Sequence, residues 1–146
     1  MITIEIRNLD ALLRRFEAAP GRLRSEMEKT MQQTLLHVQG SVPPYPPPPV
    51  GSRYTRTGTL GKSLGSDMGG GSAGRADVFE VNPVGFGFRG RFGSRLGYAP
   101  DVVGLQQKPF FAAYWWNIVT VAKEARPGIG RLWAAFAKRL AKELEG

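Results

Sequence analysis

Six of the seven residues at positions 43–49 are proline, and Tyr45 is the exception. Such a run has almost no backbone donors and a fixed φ, so it can be neither helix nor central strand. It has to be extended, in the polyproline II form, and it divides the chain. A stiff spacer is the commoner use of such a run; a ligand for an aromatic groove is the other. The 19 glycines and 11 prolines of this 146-residue chain gather between positions 40 and 100, which predicts a loop-rich middle between better-ordered ends. A hydrophobic share of 42% supplies one core rather than two. Residues 1–146 therefore read as a single domain with a loop-rich insertion at about 41–75.

The N-terminal end alternates Ile2, Ile4 and Ile6 with Thr3, Glu5 and Arg7, a strand with one buried face. It has no apolar run behind a basic start, so a signal peptide is not expected. Asn8 or Asp10 suits a helix cap, and Leu9, Leu12, Leu13 and Phe16 follow at helical spacing. Pro20 predicts a break near Ala19, after which Leu23, Met27, Thr30, Met31, Thr34, Leu35 and Val38 form one seam that ends near Gly40. Further on, residues 77–81 and 84–88 read as two strands turning at Asn82-Pro83, with a loop from there to Leu96. Residues 98–103 and 110–119 are apolar and aromatic, strand or irregular. Ile129, Leu132, Trp133, Phe136, Ala137, Leu140 and Leu144 are expected on one face of a last amphipathic helix, beginning as early as Thr120 and kinked at Pro127. The pattern predicts an α+β fold: an N-terminal strand and long helix, a small antiparallel sheet with long loops, and a C-terminal helix.

The net charge is +8, and its placement matters more than its sum. Residues 1–50 carry six basic and five acidic side chains. Much of the excess sits in two stretches, Arg53, Arg56 and Lys62, then Arg89, Arg91 and Arg95, with only Asp67 as a marginal counter-charge. Basic loops of this kind meet nucleic acid, an acidic protein face or only solvent. Positions 86–95 interleave aromatics, arginines and glycines, a mixture that can stack on bases and grip phosphate, or form a plain glycine-rich hairpin with arginines facing water.

Enzyme chemistry has little to stand on. There is no cysteine, and the one histidine, His37, lies in the long helix without a spaced partner for a metal or a triad. The twelve carboxylates show no pair set apart as acid and base. Gly58-Thr59-Leu60-Gly61-Lys62-Ser63 ends like a phosphate-binding loop, but Arg56 stands where that motif needs its first glycine and a proline tract leads in. No catalytic residue, cofactor or metal is expected. The longest apolar stretch, 109–121, is too short for a membrane span. Phe110, Phe111, Tyr114, Trp115 and Trp116 form a dense cluster, and adjacent tryptophans diverge by about 100° on a helix. One of the pair is expected in the core and the other at an inter-subunit contact, or both in separate patches of one core.

The order of these pieces resembles the HK97-gp10-like family of tailed-phage neck and tail-completion proteins. The matching residues are Ile6-Arg7-Asn8-Leu9-Asp10-Ala11-Leu12 for a "GLDEL"-like helix start, then the long helix. The proline tract with Arg56-Thr57-Gly58-Thr59-Leu60-Gly61-Lys62-Ser63-Leu64 matches a "P…TGxLxxS" segment, and Tyr98-Ala99-Pro100-Asp101-Val102 matches a "YAPxV" element. The resemblance spans nearly the whole chain. It departs at Gly104-Leu105-Gln106-Gln107, where the family runs into Gly-Thr or a charged turn. What it implies is a virion component of the neck or tail end, assembled in the host cytoplasm as a ring, commonly of six copies. Its partners would be copies of itself and neighbouring connector, terminator or tail-tube proteins, with DNA passing through the lumen without sequence-specific binding. Under that expectation Tyr54, Arg56, Arg89, Arg91 and one of Trp115 and Trp116 are candidate subunit contacts. A small nucleic-acid-binding protein is the alternative, and a hydrolase using carboxylates a more distant one.

Overall fold

The structure, a computed structural model, describes residues 2–5, 20–44, 46, 50–51, 58–66, 74–85 and 87–145. The expected helix start at Asn8 or Asp10, the break near Ala19, most of the proline tract, and Tyr54 and Arg56 lie outside these residues. The α+β class is as the sequence predicts. Strands β1 (Ile2–Glu5), β2 (Val78–Val84) and β3 (Gly87–Gly93) form one antiparallel sheet in the order β1-β3-β2. Two long helices, α1 (Pro20–Gly40) and α5 (Ile118–Glu145), accompany three short ones: α2 (Thr59–Ser63), α3 (Ala99–Val102) and α4 (Pro109–Ala112).

The hairpin differs from expectation. Strand β2 runs straight through Asn82-Pro83, with Pro83 opposite Phe88, and the chain turns at Gly85, whose φ is +58°. An edge strand tolerates a proline, because an N–H that points away from the sheet has no ladder bond to lose. Arg89 and Arg91 therefore stand on a strand and not on a loop.

Alternation sets the two faces of the sheet. Ile2 and Ile4 pair across β3 with Phe92 and Gly90, and these side chains point at α1. Gly90 eases this approach: a Cβ there would sit 2.7 Å from the Met31 sulfur and 3.0 Å from a Leu35 methyl, so a larger residue would displace those side chains of α1. Met27, Met31, Leu35 and Val38 bury α1 against the sheet, and Phe88, Phe92, Phe136 and Leu140 complete the core. Full burial of each such side chain contributes roughly 1.5–3 kcal/mol.

Helix α5 packs on α1 and passes without a break through Pro127, an exposed position. The buried hydroxyls of α1 satisfy themselves locally: Thr30 donates to the Glu26 carbonyl and Thr34 to the Thr30 carbonyl, each at 2.8 Å. Thr34 Oγ1 also accepts the Trp133 indole N–H from α5 at 3.0 Å. At the other end of the crossing His37 Nε2 lies 3.1 Å from the Ala125 carbonyl. A carbonyl only accepts, so Nε2 carries the proton, and Gly128 leaves room for the ring.

Candidate interaction surface

The segment joining β3 to α5 is irregular chain and turns, as the sequence allows, interrupted by the two four-residue helices α3 and α4. Pro100 lies at the start of α3 and Pro109 at the start of α4, positions where the missing N–H costs nothing. Between them, Gln107 ties the segment together: its Nε2 donates to the Val102 carbonyl at 2.7 Å and to the Trp116 carbonyl at 2.9 Å. Asn117 donates to Gln107 Oε1 and to the Gly104 carbonyl, both at 3.1 Å. Its own Oδ1 accepts the Val119 N–H at 2.8 Å, capping α5. The Ile118 N–H closes onto the Val103 carbonyl at 2.7 Å.

This bonded scaffold buries Val102, Val103, Trp115 and Ile118 and turns other apolar groups outward. Phe110 is 66% exposed, Tyr114 45% and Leu105 84%. Five of the eight exposed large hydrophobics among the described residues (Tyr98, Leu105, Phe110, Tyr114 and Val119) fall between positions 98 and 119. They gather in one stretch of the chain, and of these Phe110 and Tyr114 lie side by side as an exposed aromatic pair. The rings of Phe110 and Tyr114, four residues apart, are 5.8 Å from centroid to centroid.

The two tryptophans do not share the outward role. Trp115 is buried, and Trp116 packs partly buried against the same cluster with ring centroids 6.4 Å apart. The Trp116 indole N–H is buried and has no acceptor among the described residues. The signal for Phe110 and Tyr114 was present in the sequence: once Pro109 is taken as a helix start, their i, i+4 spacing puts them on one face.

The arginines of β3 are tied within the chain. Arg89 forks onto Glu5 Oε1, with Nη2 at 2.6 Å and Nε at 2.8 Å. Arg91 and Arg95 both reach Glu80, at 3.6 and 3.4 Å, and the Arg95 backbone N–H meets Asp77 Oδ2 at 3.2 Å. The three guanidinium groups thus share two carboxylates, Glu5 and Glu80, with Asp77 on the Arg95 backbone, while Phe88 and Phe92 lie beneath the sheet, away from them. In this geometry the arginines are paired with carboxylates of the same chain, and neither ring offers a base-stacking platform. Tyr54 and Arg56, outside the described residues, cannot be placed beside it.

The phosphate-loop look-alike is α2, five residues long. Its Ser63 is buried, donating to the Leu60 carbonyl and accepting from Ser94 Oγ, each at 2.6 Å. Among the described residues no three metal-ligating side chains come together. Comparison with protein-family models, curated proteins and solved structures finds no match.

Proposed function

We propose that the chain is a non-enzymatic structural subunit of a tailed-bacteriophage particle, placed at the head–tail junction or the tail end, and that it acts by packing against copies of itself in a ring. The observation that carries this reading is the outward Phe110–Tyr114 cluster on its hydrogen-bonded base. Rigid aromatic side chains that are already ordered lose little entropy on docking, which is what a subunit contact needs. A ring requires a heterologous contact, so the cluster meets a different surface of the neighbouring copy. The ordered motifs from Ile6 to Val102 supply the particle context, and connector, terminator or tail-tube proteins are the further partners this implies. Arg89 and Arg91 enter such a contact with their carboxylates already beside them, as a polar rim rather than as bare charges.

The test is the mass of the purified chain against concentration, by native mass spectrometry and sedimentation. A closed ring is expected, and Phe110→Ser with Tyr114→Ser yields a monomer with an unchanged circular dichroism spectrum. A chain that stays monomeric at every concentration, or a ring indifferent to both substitutions, removes the assembly reading. Absence of the chain from purified particles of a phage that encodes it removes the virion reading.

A further inference from the structure

The positive charge of the chain is distributed unevenly once pairing is considered. Lys29, Arg89, Arg91, Arg95 and Lys108 each lie within 4 Å of a carboxylate. Helix α5 is different. Between Lys123 and Lys142 it carries six cations, Lys123, Arg126, Arg131, Lys138, Arg139 and Lys142, against the single carboxylate Glu124. All six are exposed, and among the described residues none of them pairs with a carboxylate.

At 100° per residue, Arg126, Lys123, Lys138, Arg131 and Lys142 fall within an arc of about 160°. Val121, Ala125, Phe136 and Leu140 bury the opposite side. With a rise of 1.5 Å per residue the cationic row is about 28 Å long. Every other exposed position from 123 to 142 is glutamate, proline, glycine or alanine. At Gly130 a Cβ would meet nothing within 4 Å.

We propose that this outward face of α5 binds the phosphate backbone of double-stranded nucleic acid without regard to sequence. The occupant follows from what the face has and what it lacks. A row of exposed cations on one continuous helix, none of them paired with a carboxylate among the described residues, matches a polyanion whose charges repeat along a line. The face offers no Trp, Phe or Leu to sink into a bilayer interface, and no large anchor of the kind that centres a protein contact. It has no exposed ring on which an unpaired base could stack, which favours duplex over single strand. Its low ridge of Pro127, Gly130, Ala134, Ala137 and Ala141 lets the flanking cations reach phosphates on either side. The site differs from the positions 86–95 that the sequence singled out, and it stands whether or not the chain forms rings.

The experiment is fluorescence anisotropy of the full chain with two 30-base-pair duplexes of unrelated sequence, the matching single strand, and anionic phosphatidylglycerol vesicles. The two duplexes should bind within about threefold of each other. With about four phosphates engaged, affinity should fall roughly a hundredfold between 50 and 200 mM salt. Replacing Arg131, Lys138 and Lys142 together by Gln, all exposed and all by a good helix former, should lower the logarithmic salt slope by about 2–3. Arg89→Gln with Arg91→Gln should leave that slope unchanged. No duplex binding at 50 mM salt overturns the proposal. So does a slope that follows the β3 arginines and not α5, or tighter binding to the single strand or the vesicles.

Discussion

Two glycines of α5, two positions apart, should respond to alanine with opposite signs. Gly128 faces α1, and a Cβ there would run into the His37 ring at Nε2, Cε1 and Cδ2. The ring is not the loose end of a flexible chain, since Nε2 is held at the Ala125 carbonyl. Overpacking of this kind costs about 1–3 kcal/mol, and losing the His37 hydrogen bond adds about 1 kcal/mol. The better helix propensity of alanine returns about 1 kcal/mol. Gly128→Ala should therefore destabilise by roughly 1–3 kcal/mol. Gly130 is exposed, has nothing within 4 Å of a Cβ, and sits at an ordinary helical φ. Gly130→Ala should stabilise by up to about 1 kcal/mol through propensity alone. Urea unfolding, followed by circular dichroism and by tryptophan fluorescence, reads both changes as shifts in midpoint at constant slope. His37→Ala placed on Gly128→Ala should recover part of the loss, with a coupling above about 1 kcal/mol in the double-mutant cycle. If Gly128→Ala is as stable as Gly130→Ala, the close crossing of α1 and α5 at His37 is wrong.

Two further substitutions probe the surfaces on either side of the core. Gln107→Ala leaves the Val102 and Trp116 carbonyls without their donor and should cost about 1–3 kcal/mol. Hydrogen exchange should then quicken across residues 102–119 while α1 keeps its protection; uniform loosening would mean that Gln107 does not organise that segment. Arg89→Gln breaks a half-exposed pair with Glu5 and should cost less than about 1 kcal/mol, an effect that fades at 1 M salt. A loss above about 2 kcal/mol that persists at high salt would contradict a surface role for the pair.

Local rules carried the sequence reading a long way where the signal was periodic. Ile2 and Ile4 alternate into the core, and the seam from Leu23 to Val38 is buried as its spacing predicts; of the last helix's stripe Phe136 and Leu140 are buried and Trp133 partly so, while Ala137 faces out. Where proline and glycine set the local structure, two meanings competed. Pro83 looked like a turn and is an edge-strand residue, while Gly85 a little further on makes the turn. Pro100 and Pro109, in or beside stretches that read as strand or irregular, stand at the starts of two short helices. The arginines of β3 were misplaced for a different reason. Their counter-charges, Glu5 and Glu80, are distant in the chain and become neighbours only through strand pairing, so a charge count along the sequence finds them unbalanced. The same blindness hid α5, whose cations look ordinary until the pairing elsewhere is known.

Pro83 bears on how copies of this chain can meet. An edge strand presents a row of outward N–H and C=O groups, a template on which a second sheet can grow, and growth of that kind has no natural stopping point. A missing N–H near the hairpin end of β2 removes one donor from the row of hydrogen bonds such growth would need. Open-ended stacking into fibres is discouraged on that side, and contact between copies is left to side chains, where geometry can set a finite number.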